Sequence, residues 1–151
     1  GYLDGEPGVS QLNGTKWLAT SDLGHLRHGR LEVTGRVDDV IITGGLKVAA
    51  DQVRAAVLSA PMVARAAVVA LPHPRWGQVV SAVVVPTDAW TQDSPAALRD
   101  LVGELLGRQL APRVVVVTDH LPMLASGKLD RLAVRNHAEQ VRRDGGAWTS
   151  D

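Results

Sequence analysis

At 151 residues and 45% hydrophobic content, the chain is long enough to bury one core and too apolar to remain unfolded over most of its length. Lys plus Arg equal Asp plus Glu at 16 each, with no dense basic block, so neither nucleic acid nor a membrane surface is expected as the main partner. The absence of cysteine excludes a disulfide framework and thiolate metal sites. No apolar run reaches the length of a membrane span and the first residues lack a signal-peptide pattern, so a cytoplasmic location is expected.

Residues 1–14 are rich in Gly, Pro and polar side chains and read as irregular. Short strands are expected at 17–20, 25–26 and 31–34, the last two joined through His28-Gly29. The charged stretch from Gly35 to Asp39 reads as a boundary. A short strand at 40–42 then leads into a Gly44-Gly45 turn. Asp51 is placed to cap a helix running to about Leu58, with Val53, Val57 and Leu58 on one face and Pro61 closing it.

Two Val-rich runs at 63–71 and 79–85 read as central strands covered on both faces, separated by Pro72 to Gln78. Ser94 followed by Pro95 predicts a helix start, with Leu98, Leu101, Val102, Leu105 and Leu106 as its apolar stripe and an end near Leu110, before Pro112. A third Val-rich strand is expected at 114–117, and Asp130 is placed to cap a last helix. From about Arg142 the Gly/Ser-rich end is expected to fray. The elements add up to an α+β fold, a small three-stranded sheet flanked by helices and preceded by short β-hairpin strands.

Three runs carry candidate chemistry. Leu121-Pro122-Met123-Leu124-Ala125-Ser126-Gly127-Lys128-Leu129-Asp130-Arg131 sets one lysine behind a Ser-Gly pair. Glycine frees the backbone to turn, and lysine is a compact charge on a long stem. Alone, this pattern also fits a solvated surface turn. It is not a phosphate-binding Walker loop, because Pro122 stands where that loop needs glycine and Leu129 where it needs a hydroxyl. The second run is Trp17-Leu18-Ala19-Thr20-Ser21-Asp22-Leu23-Gly24. The third extends from Gly35-Arg36-Val37-Asp38-Asp39 through Ile41-Ile42-Thr43-Gly44-Gly45-Leu46-Lys47. The five histidines lack metal-ligand spacing and read as surface or loop residues.

In this order and register, the three runs resemble the adenylate-forming superfamily of acyl-CoA synthetases, amino-acid adenylation domains and luciferases, over Gly1 to about Val134. The resemblance implies the C-terminal part of an AMP-forming acid–thiol ligase. Residues 1–35 would be the last strands of a large adenylation domain absent here, 36–140 the mobile C-terminal lid domain, and 141–151 a frayed tail. This chain by itself would then be inactive, and any homodimer would form through the absent domain.

By the same resemblance, Lys128 bridges the substrate carboxylate and the α-phosphate of ATP, Asp22 accepts both ribose hydroxyls, and Arg36 lies near the ribose and phosphates. Asp38 is the hinge about which the lid turns. Gly44 and Gly45 let the backbone run against a narrow pantetheine channel, and Lys47 and Trp76 face CoA. The implied cofactors are ATP and CoA, with magnesium arriving on ATP rather than held by ligands of this segment. Thr20-Ser21-Asp22 departs from the usual Thr-Gly-Asp. Ala50, Gln52 and Arg54 depart from the usual Pro-x-Glu start, and Ala111-Pro112 lacks a neighbouring lysine. The motif wording is nearer to small acyl/aryl-CoA ligases, particularly o-succinylbenzoate–CoA ligases of menaquinone biosynthesis, than to peptide-synthetase modules. Two other readings stay open: the lid of a peptide-synthetase adenylation domain, and a non-catalytic α+β interaction module.

Overall fold

The computed structural model of the protein describes residues 9–12, 15–18, 22–36 and 39–150. The chain divides into two compact units between Asp38 and Asp39. In the first, β1 (Val9–Leu12) pairs antiparallel with β2 (Thr15–Leu18), and β3 (Asp22–Arg27) with β4 (Arg30–Arg36). β1 falls in the stretch expected to be irregular, since four residues among Gly and Pro are too few to show a period. His28 (φ 50) and Gly29 (φ 77) form the turn between β3 and β4. Two left-handed residues in a two-residue turn match the twist of the flanking strands.

The second unit is α+β, as expected, but its sheet has six strands rather than three. β7 (Val63–His73), β8 (Gly77–Pro86) and β9 (Val114–Val117) are the three Val-rich runs. To them are added the hairpin β5 (Val40–Thr43) and β6 (Leu46–Ala49), joined through Thr43 opposite Gly77, and the two-residue β10 (Trp148–Thr149) beside β9. The order is β10-β9-β8-β5-β6, with β7 paired to β8. β8 runs antiparallel to β7 and parallel to β9.

Both faces of this sheet are covered. Val68, Val80, Ala82, Val84 and Val115 face α1 (Ala50–Leu58) and α2 (Ser94–Leu106) through Val53, Val57, Leu98 and Val102. Ala67, Val69, Leu71, Val79, Val83, Val114 and Val116 pack with Val134 and Ala138 of α3 (Arg131–Arg143). The period-2 alternation of each strand therefore sends apolar side chains to two separate cores. The unbroken valine runs follow directly from this arrangement. β7 differs from the expectation of a central strand, because among the described residues it pairs with β8 alone. Pro72, which has no N–H to donate, is tolerated near its end for that reason.

Helix boundaries moved in informative ways. Ala49, not Asp51, is the N-cap of α1, and Asp51 lies in its first turn, where a carboxylate is favoured by the helix dipole. Asp93 rather than Ser94 is the N-cap of α2. The Ser94 hydroxyl instead accepts the Thr91 N–H at 2.8 Å and fastens the preceding turn. α2 stops at Leu106 because Gly107 turns to φ 97. Asp130 caps α3 as expected, its carboxylate accepting the Ala133 N–H at 3.0 Å. The expected fraying from Arg142 is not what the structure has: α3 continues to Arg143, and Trp148 is partly buried against the α1/α2 core.

Candidate functional site

The Lys128 loop is a small closed hairpin. Met123 and Leu129 bridge its neck, the Leu124 N–H donates to the Lys128 carbonyl at 2.7 Å, and the Gly127 N–H donates to the Leu124 carbonyl at 2.9 Å. Gly127 takes φ 77, which the tight return requires of a residue without Cβ. The Asp130 N–H donates to the Pro122 carbonyl at 3.0 Å, so the residue that caps α3 also closes the loop. Lys128 is exposed, and among the described residues no carboxylate forms an ion pair with it. The backbone around the lysine is thus held at its base, while the ammonium is available to an anion from outside.

A second cluster forms around Trp76. Gly44 and Gly45 have φ 54 and 84, and the Gly44 N–H donates to the Trp76 carbonyl at 3.0 Å. A Cβ on Gly44 would lie 2.8 Å from Cε3 of the Trp76 ring. The guanidinium groups of Arg75 and Arg113 lie 4.8 and 4.9 Å from the ring centroid, within cation–π range. The turn is fixed by His73, whose Nδ1 accepts the N–H groups of Arg75 and Trp76 at 3.2 and 3.3 Å. A recess of about 100 Å³ beside the ring is lined by Thr43, Gly44, Leu46, Gln109 and Arg113.

Positive charge accumulates behind that recess. Arg99 donates to the Pro112 carbonyl at 2.8 Å, and its pKa is lowered, first by burial and then by repulsion from Arg113 and Arg108. Two cations at one ring, with a third behind them, suit a ligand that carries negative charge.

Gly44, Gly45 and Trp76 are therefore brought together, whereas Lys47 is not. Lys47 stands opposite Ile42, and strand alternation puts that pair on the face away from Thr43 and Leu46. Arg113 was missed as a site residue because it reaches Trp76 only through the fold: its N–H donates to the Val80 carbonyl at 2.9 Å, continuing the β8–β9 pairing.

Asp22 and Arg36 are register partners at the open end of the β3–β4 ladder, in the first unit, while Lys128 belongs to the second. Asp38 lies outside the described residues. Its neighbour Asp39 is buried and ion-paired with Arg131. Among the histidines, His137 departs from the surface expectation, since its Nε2 is buried beneath α3. No cluster of three or more His, Cys, Asp or Glu that could hold a metal occurs among the described residues. Nor is any described helix long and apolar enough to cross a membrane.

Comparison with known proteins adds a family. The model described as the AMP-binding enzyme C-terminal domain matches residues 52–128, ending on Lys128. The 2-succinylbenzoate–CoA ligase of Bacillus cereus (strain AH820) is 34% identical over 142 residues, covering 93% of this chain and 29% of that protein. The 4-chlorobenzoate–CoA ligase of an Arthrobacter species is 40% identical over 126 residues, covering 80% and 23%. Among solved structures, o-succinylbenzoate CoA synthetase from Bacillus subtilis, in complex with its acyl-adenylate intermediate, matches with a TM-score of 0.71 and 37% identity. It is covered over 84% of this chain and 25% of that one. The chain thus spans about a quarter of the length of the relatives it matches.

Proposed function

Because the chain belongs to the AMP-binding enzyme C-terminal domain family, we propose that it is the lid end of an ATP-dependent acyl- or aryl-CoA ligase. In this reading residues 1–35 complete a larger adenylation domain, 36–140 form the lid, and 141–151 its tail. The enzyme joins a carboxylate to AMP with release of pyrophosphate, then passes the acyl group to the thiol of CoA with release of AMP. The carboxylic acid we assign is o-succinylbenzoate, on the way to menaquinone. A relative and a solved structure of that specificity support this choice.

The observation that carries the proposal is Lys128: exposed, at the end of a loop pinned at its base, with no ion-pair partner among the described residues. As carboxylate oxygen attacks the α-phosphorus, charge spreads over the attacking and phosphoryl oxygens, and a cation delivered there stabilises the transition state. Asp22 supplies two acceptor oxygens for a vicinal diol, and Arg36, its ladder partner, a permanent charge for phosphate. Magnesium would come with ATP.

Turning about Asp38, at the boundary of the two units, would then withdraw Lys128 and present the Gly44–Trp76 cluster. Gly45, where a Cβ would meet nothing within 4 Å, leaves room for a chain to pass close to the backbone, Gly44 admits the Trp76 ring, and Trp76 with Arg75 and Arg113 suits a nucleotide end. Those cations favour CoA over a carrier-protein arm as acceptor. Lys47, on the other face of its hairpin, would meet CoA only outside this recess. The enzyme would work in the cytoplasm.

The test separates the half-reactions in the enzyme that carries this chain. Lys128→Ala is expected to slow acyl-adenylate formation by two to three powers of ten, roughly 3–4 kcal/mol, and to spare thioester formation from supplied acyl-adenylate. Equal slowing of both steps, measured in single turnovers, would rule the assignment out.

A further inference from the structure

The Lys128 loop is anchored in the core only at its ends, by Leu121 and Leu129. A groove of about 450 Å³ runs between α1, β7 and the loop, and its walls include Arg54, Arg65, Leu121, Met123 and Leu129. Met123 and Leu129 are the bridged pair at the neck of the loop. Met123 is 45% exposed and Leu124 47%, so apolar packing reaches the loop only at its ends. Arg65 touches the Met123 sulfur at 3.8 Å, and thioether sulfur is a weak acceptor.

A stronger restraint lies at the far end of the loop. Arg131, the first residue of α3 and three positions beyond Lys128, forms an ion pair with Asp39. Asp39 is the first residue of the second unit, and its side chain is only 4% exposed. The other terminal nitrogen of Arg131 lies 3.9 Å from Asp51, which in turn pairs with Arg54 at 3.2 Å. Charges of alternating sign therefore run from Asp39 through Arg131, at the base of the loop, to Asp51 and Arg54 of α1. A buried carboxylate holds a guanidinium counter-charge strongly, because separating the two exposes an ion to a medium that solvates it badly.

From this arrangement we infer that Asp39–Arg131 is a positioning contact, fixing the base of the Lys128 loop to the first residue after the unit boundary. The loop then turns with that segment as one piece, and rotation at the boundary becomes displacement of the Lys128 ammonium rather than slack in the loop. The inference rests on the reading above in which Lys128 is the group to be placed.

Two measurements keep the inference and that reading apart. In this chain, Arg131→Gln is expected to speed amide hydrogen exchange of Leu124, Gly127 and Asp130, the three N–H donors that close the loop, by tenfold or more. Exchange in β8 should keep its rate, and Arg131→Lys should restore part of the protection. Equal acceleration throughout the unit, or none in the loop, overturns the inference. If Arg131→Gln does not fold, Asp39→Asn provides the same readout with the side-chain shape kept. In the enzyme that carries this chain, Arg131→Gln should lower the adenylation rate tenfold or more, at unchanged KM for the carboxylate, and spare the thioester step. Lost adenylation with an undisturbed loop would overturn the inference, assigning Arg131 to the substrate instead. A loosened loop with full adenylation would uphold the positioning contact and refute the role given to Lys128.

Discussion

Replacing Gly44 with alanine tests the Trp76 cluster without reference to any activity. The new methyl would sit 2.8 Å from Cε3 and 3.2 Å from Cζ3 of the ring, where carbon–carbon contacts are comfortable only from about 3.5 Å. Trp76 has little freedom to retreat, since its backbone carbonyl accepts the Gly44 N–H, its backbone N–H donates to His73 Nδ1, and two guanidinium groups lie against its ring. Overpacking of this kind costs about 1–3 kcal/mol, and a left-handed alanine adds about 1 kcal/mol. The sum is about 2–4 kcal/mol, or roughly 1–2 M in urea midpoint at a slope near 2 kcal/mol/M.

Gly45→Ala is the control. Its φ of 84 is farther from the left-handed well than the 54 of Gly44, but a Cβ there meets nothing within 4 Å. It should therefore cost only its backbone term, about 1–2 kcal/mol. Trp76→Ala in the Gly44→Ala background should recover the overlap part, about 1–3 kcal/mol less than additivity of the two single changes. Urea unfolding followed by circular dichroism reads all four variants. Gly45→Ala proving as costly as Gly44→Ala, or strict additivity in the double variant, would refute the reasoning.

Two further outcomes are expected. Asp130→Ala removes both the cap of α3 and the side chain at the neck of the Lys128 loop, and should lower stability by about 1 kcal/mol; thermal unfolding that is unchanged would mean the cap bond is not formed in solution. The chain alone should catalyse no carboxylate-dependent exchange of pyrophosphate into ATP, because it carries no phosphate-binding loop; measurable exchange would show that the segment is self-sufficient.

The valine runs made β7, β8 and β9 readable, because a strand buried on both faces has no polar positions to confuse the pattern. What that pattern cannot convey is order in the sheet. β7 and β8 look alike in sequence, yet one is at an edge and the other has partners on both sides. β6 and β10 were lost for different reasons: Lys47 interrupts the apolar run of β6, and the two residues of β10 are too few for a period of two to repeat. The helix ends missed at Ser94 and Leu110 were decided by local competition: the Ser94 hydroxyl turned back to Thr91, and Gly107 broke the helix before proline could.

The candidate site divides in the same way. Lys128, Gly44, Gly45 and Trp76 could be singled out because their motifs are contiguous. Arg113 and His73 could not, since each acts by touching Trp76 in space, one of them across a parallel strand pairing. Asp39 was passed over in favour of its neighbour because no local pattern announces a partner at Arg131.

The pairing of Trp148 with Val115 has a consequence for handling the molecule. Everything between β9 and β10, including the lysine loop and all of α3, is an excursion that leaves one sheet edge and returns beside its point of departure. Like any closed excursion it is stitched at both ends, and undoing either stitch lengthens the tether of what lies between. A purification tag, dye or fusion partner attached close behind Thr149 would pull on the second stitch and reach the lysine through it. The harmless places to attach a label are instead turns that close on themselves, such as His28-Gly29, where all four residues from Arg27 to Arg30 are exposed.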